Sequence, residues 1–190
     1  MKTLKIHLLT TLFGLSLIAL LLPACTESNS STNEKSAVDK PEMDIQTAVI
    51  SGNLEAVKQH IAAGTDLNEK EPFGGSTPLI SAATFDKREI AQALIDAGAD
   101  LSAKNNDGST ALHSAAFFGR VEIVQMLIDA EADKTLRNNY GATARESVMG
   151  PFAEVKPIYE MLEQQLSPMG LQLNMNELEK ARPVVAMMLQ

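Results

Sequence analysis

Residues 75–107 read GSTPLISAATFDKREIAQALIDAGADLSAKNND, and residues 108–140, which follow without a gap, read GSTALHSAAFFGRVEIVQMLIDAEADKTLRNNY. Gly75, Gly108 and Gly141 are spaced by 33, as are Thr77, Thr110 and Thr143. A fixed period in this range marks a solenoid of stacked units, each too small to bury its own apolar face. Within a unit, Thr77 is placed to cap a helix whose first residue, Pro78, lacks only an amide hydrogen that would be unpaired there anyway. Leu79, Ala82 and Ala83 form one apolar stripe, and the small alanines let a neighbouring helix come close. A second helix is expected from Lys87, with Ile90, Ala91, Leu94 and Ile95 at helical spacing. Gly98 is placed to end it in the left-handed conformation, and Asn106-Asp107-Gly108 makes a tight turn into the next unit.

The unit resembles the ankyrin repeat. Gly-x-Thr-Pro-Leu at 75–79 and Gly-Ala-Asp at 98–100 carry the likeness in one copy, and Gly108, Thr110, Leu112, His113, Ala115, Ala116 and Gly119 carry it in the next. A copy from Ala48 aligns at a spacing of 34, which puts one extra residue in the loop near Pro72. A fourth begins at Gly141, has Arg145 in place of the core leucine, and is broken by Met149-Gly150-Pro151, with its second helix around Ile158, Tyr159 and Leu162. The resemblance implies an all-α solenoid of helix-turn-helix units joined by β-hairpin-like loops, with repeats at 44–74, 75–107, 108–140 and 141–166. The outer two act as caps that shield an apolar stack. Residues 167–190 either fold back over the last repeat as a further cap or dock a partner, since Val184, Val185, Met187, Met188 and Leu189 should not stay exposed. In that stretch Asn176 is expected to cap a short helix that Pro183 interrupts.

The N-terminal 24 residues read as a leader: Lys2 and Lys5 precede a mostly apolar run from Ile6 to Leu22, shorter than the about 20 residues a spanning helix needs. Leu22-Pro23-Ala24-Cys25 resembles the lipobox of bacterial lipoproteins, which implies acylation of Cys25 and membrane anchoring. Thr26, rather than an aspartate, after the cysteine implies retention at the periplasmic face of the outer membrane. Residues 26–43 offer little to bury and read as a flexible tether spanning about 25 Å on average.

The formal charge of the whole chain is −8, and without Lys2 and Lys5 there remain 14 basic against 24 acidic residues, or −10. Nucleic acid is therefore not an expected partner, because affinity for it rests on neutralising phosphates. One cysteine permits no internal disulfide. His7 lies in the leader, His113 sits where ankyrin repeats use histidine to join neighbouring loops, and His60 is expected exposed on an outer helix. No histidine or cysteine pair stands at zinc-ligand spacing, and no nucleophile elbow or phosphate loop appears. No metal, cofactor or catalytic residue is expected.

Ankyrin stacks bind through loop tips and the exposed ends of inner helices. By register these positions are Phe73, Ser76, Thr84, Phe85, Asn106, Asp107, Ser109, Phe117, Phe118 and Tyr140. They take five of the seven aromatics outside the leader, and aromatics are the usual interface anchors. Lys70, Lys104 and Arg137 form an equivalent basic row suited to carboxylates on a partner. The expectation is a monomeric, non-catalytic protein-binding module tethered in the periplasm. An inhibitor or immunity-type protein that blocks a periplasmic enzyme is the alternative.

Overall fold

The computed structural model describes residues 41–190. The leader, Cys25 and all but the last three tether residues lie outside the described residues. Helices α1 (Ile45–Ser51) and α2 (Leu54–Ala62) make the first hairpin, α3 (Pro78–Thr84) and α4 (Arg88–Asp96) the second, and α5 (Ala111–Phe117) and α6 (Val121–Asp129) the third. A 3-10 turn at Glu146–Val148 follows, then α7 (Phe152–Leu166), a second 3-10 turn at Ser167–Met169, and α8 (Met175–Met188). No strand forms among the described residues, and one antiparallel bridge joins Arg137 to Thr143.

The elements arise where the residue chemistry demands. Thr77 caps α3 by accepting from the Ile80 N–H at 3.3 Å, with Pro78 at the first position. Inner helices α1, α3 and α5 pack in a row and outer helices α2, α4 and α6 pack in a second row behind it. Ala82, Ala83, Ala115 and Ala116 have no exposed surface, which is what permits the close inner row. Leu79, Leu94, Leu112 and Leu127 fill the space between rows, each contributing roughly 1.5–3 kcal/mol by leaving water.

The outer helices end in the same way. Gly98 (φ +82°) donates to Ile95 O and Ala99 to Leu94 O, both at 3.0 Å. Glu131 stands in the equivalent place with φ +61° and makes the same pair of bonds, from its own N–H to Ile128 O and from Ala132 to Leu127 O. A side chain in this conformation is strained. Glu131→Gly is expected to raise stability by up to about 1 kcal/mol, the gain in the folded state being partly offset by the freer unfolded chain. Urea denaturation checks it, and a lower midpoint would sink it.

Four expectations are corrected. His60 is fully buried rather than exposed: its Nε2 donates to Met43 O at 2.8 Å, which leaves Nδ1 to accept from the Thr65 hydroxyl at 3.1 Å. The cause is Met43, at the end of the tether, which lies over α2 and offers its carbonyl to the ring. The cap of α8 is Asn174, whose side chain accepts from the N–H groups of Asn176 and Glu177. Pro183 does not interrupt that helix, because it sits on the exposed side, where water can satisfy the carbonyl it leaves free. Lastly, the helix expected around Ile158 forms as α7, but it is α8 that packs on α6, on α5 and on the 3-10 turn. Leu178, Arg182 and Val185 recur at helical spacing along the buried side of α8, and Leu189 at its C-cap continues the line. The outer helix opposite the fourth inner turn is thus α8, and α7 is looped out between them.

Candidate functional site

Each loop turns on one polar side chain. Glu71 accepts from the N–H groups of Phe73, Gly74 and Ser76 at 2.7, 2.6 and 3.0 Å. Asn105 does the same for Asp107 and Ser109, and Asn138 for Tyr140 and Ala142. Backbone bonds from Glu71 to Ser76, Asn105 to Ser109 and Asn138 to Ala142 close the turns. The first is one residue longer, as the spacing of 34 requires, and the longer glutamate reaches across it. Partial burial alone pushes the Glu71 carboxyl up, but the N–H groups of Ser76, Phe73 and Gly74 outweigh it and leave its pKa below the ordinary value.

The turns are then laced to one another. Asn106 donates from its backbone to Gly74 O at 2.9 Å and from its amide to Phe73 O at 3.1 Å. Asn139, one period later, donates to Asp107 O and Asn106 O, both at 2.9 Å. Asn106 therefore spends its side chain on the stack, and the spacing between Asn106 and Asn139 was the signal for that. Phe73 (92 % exposed) and Tyr140 (79 % exposed) project from these fixed turns into solvent. Asp107 is exposed, and Ser76 and Ser109 are half-buried.

The basic row is mostly engaged. Lys104 donates to Arg137 O at 2.9 Å. Arg137 pairs with Glu146 at 2.6 Å, and Glu146 also accepts from the Thr143 N–H at 2.8 Å. Those contacts, the Thr143 N–H first and Arg137 second, hold the Glu146 carboxyl below its ordinary pKa. Lys70 is exposed.

At the ends of the inner helices the aromatics divide. Thr84 and Phe85 are half-buried, and the Thr84 hydroxyl turns back to Ile80 O at 3.0 Å. Phe118 is only 8 % exposed and lies edge-on to Phe117, with the Arg120 guanidinium 5.9 Å from its ring centre. It supports the stack and presents no face to a partner. Phe117 is half-buried because Tyr159 of α7 covers it: the rings are 4.6 Å apart, and the Tyr159 hydroxyl donates to Phe117 O at 2.7 Å. Tyr159 has no exposed surface, stacks on Phe152 at 5.9 Å and accepts from Arg182 Nη1 at 2.7 Å. Burial pushes its phenol pKa up, and Arg182 opposes that shift. Tyr159 is expected from the sequence only as part of the fourth unit's second helix, and its contact with Phe117 is new; it and Phe152 are the two aromatics outside the leader that the register leaves off the binding face.

His113 joins neighbouring loops. Its Nε2 donates to Ala142 O at 3.1 Å, so Nδ1 accepts from the Thr110 N–H at 3.3 Å, closing the cap of α5. Burial pushes its pKa down, and the bond to Ala142 opposes that. Among the described residues no group of three or more His, Cys, Asp or Glu side chains is placed to hold a metal ion. Nor is any described helix long and apolar enough to cross a membrane.

The family model for ankyrin repeats, three copies, matches residues 45–138. Protein phosphatase 1 regulatory subunit 27 of Homo sapiens and that of Mus musculus are each 42% identical to this chain over 63 residues. The aligned stretch is 33% of this chain and 40% of each relative, so the chain spans well under half the length of the curated relatives it matches.

Proposed function

Since residues 45–138 carry ankyrin repeats, a protein-interaction module by family, we propose that this chain is a non-catalytic binding module tethered by a lipid on Cys25 at the periplasmic face of the outer membrane. It grips one protein partner by its loop tips. The observation that carries the reading is the pair of exposed aromatics, Phe73 and Tyr140, on turns that the Asn106 and Asn139 amides hold fixed. An aromatic anchor on a preorganised backbone loses little entropy on binding. The Asp107 carboxylate between them adds a polar contact, and of the basic row Lys70 is the cation left for a partner's carboxylate. The relatives named above are regulatory subunits of an enzyme. That favours, as a second reading, a module that controls or blocks an enzyme reaching the periplasm.

A photo-crosslinking residue placed at Phe73 or Tyr140 in intact cells is expected to trap one and the same protein. The same residue at Lys58, exposed on the outer face of α2, is expected to trap none. Phe73→Ser combined with Tyr140→Ser should abolish a Phe85-directed crosslink to that protein and leave the melting temperature unchanged, because neither ring packs on the stack. Equal trapping from all three sites would sink the loop-tip reading. If the trapped protein is an enzyme whose activity falls on binding, the second reading stands over scaffolding. Cys25→Ser tests the tether separately, by moving the chain from the membrane to the soluble fraction.

A further inference from the structure

The far end of the stack holds a feature that the loop tips leave unused. A cleft of about 380 Å³ opens between the 3-10 turn at Glu146–Val148, the start of α7 and the exposed side of α8. Val148, Met149, Phe152 and Met187 supply apolar walls, and two guanidinium groups, Arg145 and Arg182, line it as well. Arg182 is 3 % exposed, and its bonds go to neutral acceptors, the Tyr159 hydroxyl at 2.7 Å and Gly150 O at 3.1 Å. Arg145 is half-buried, uses Nε on Ala186 O at 3.1 Å, and makes no hydrogen bond to the described residues through its two terminal nitrogens. Neither is in ion-pair contact with a carboxylate among the described residues.

A guanidinium stays charged even where it is desolvated, and burial without an opposite charge is unfavourable. Neutral acceptors and the Tyr159 ring, 6.0 Å from the Arg182 guanidinium carbon, offset this only in part. The place where Leu79 and Leu112 stand in the second and third repeats has thus been given to an arginine whose two terminal nitrogens are free of bonds to the described residues, and a second, buried arginine lines the same cleft. We propose that this cleft binds a carboxylate carried on a short apolar group. The fork of Arg145 takes the two oxygens, a match that planar guanidinium and carboxylate groups make bidentately. The charge of Arg182 supports it from behind, and the methionine and phenylalanine side chains take the tail, the polarizable thioethers adapting to its shape. Glu179 lies on the exposed rim of the same cleft and opposes the anion. A free alkanoate and the C-terminal carboxylate of a peptide ending in an apolar residue share this chemistry.

The test is nitrogen–proton shift mapping of the full chain titrated with octanoate, with octan-1-ol, with acetyl-Gly-Leu bearing a free carboxylate, and with its amide. Saturable shifts confined to 145–152 and 179–190 are expected for a carboxylate and absent for its neutral counterpart. The source of the natural ligand is the one of the two carboxylates that binds at lower concentration. Arg145→Gln should weaken binding by about tenfold, the equivalent of one charge-assisted hydrogen bond, while shifts elsewhere show the fold intact. Glu179→Gln, which touches no packing, should tighten it. Binding by neither carboxylate, equal binding by octan-1-ol, or no change in Arg145→Gln overturns the proposal.

Discussion

Gly108→Ala is expected to cost about 3–4 kcal/mol, and Gly141→Ala only about 1–2 kcal/mol, although the two glycines share the same left-handed conformation. Their φ angles are +73° and +77°, so the backbone penalty of an L side chain is equal at both. What differs is the space. A methyl at Gly108 would meet the Asn139 backbone nitrogen at 2.8 Å and its side-chain carbon at 2.9 Å, whereas nothing lies within 4 Å of one at Gly141. The Asn139 nitrogen cannot move aside without breaking its bond to Asp107 O. The added cost at Gly108 is therefore the cost of unlacing one turn from the next. In a stack stabilised by nearest-neighbour contacts, that should also loosen the coupling between the third and fourth units. Calorimetry of both variants is the measurement: a melting temperature lowered by roughly 10 °C in Gly108→Ala and by about half that or less in Gly141→Ala is expected for a domain of this size. Equal losses would show that the asparagine lacing carries no stability.

That lacing also marks how far the sequence could be read. The period of 33 made the hairpins, their caps and their left-handed stops legible, Glu131 included, because each depends on residues near in sequence. The Asn106 amide was read as a free loop tip instead, since its partner is a carbonyl a whole repeat away, and only the stacking brings that within reach. Phe117 and Phe118 adjoin in sequence, yet one faces a looped-out helix and the other the interior, a difference set by contacts that no local pattern encodes. His60 was misread for a related reason: an outer-helix position is exposed only if nothing crosses it, and Met43 does. The fourth unit was the hardest. Its outer helix follows an insertion, and Pro183 within α8 mimics a break that exposure on that side makes harmless.

Tyr159→Ala is expected to release α7 while the hairpins remain folded. Of the fifteen residues of α7, Tyr159 alone is buried. Removing a buried aromatic costs about 3–5 kcal/mol in a well-packed site. Here the loss falls on a helix with a single buried residue, so it should appear as local opening rather than global unfolding. Amide exchange is expected to rise across 152–166 to rates near those of an open chain, with protection in α3, α5 and α6 unchanged. Tyr159→Phe separates the two parts of the contact. It keeps the ring against Phe117 and Phe152 but leaves Phe117 O and Arg182 Nη1 without their 2.7 Å partner, which should cost about 1–3 kcal/mol and give intermediate exchange. Equal loss of protection in α3 and α5 would mean that α7 is an integral wall of the stack. If α7 alone opens, Phe117 is bared at the end of the inner row. Crosslinking from Phe85 to a protein partner should then strengthen in Tyr159→Ala, while crosslinking from the distant Phe73 tip stays the same.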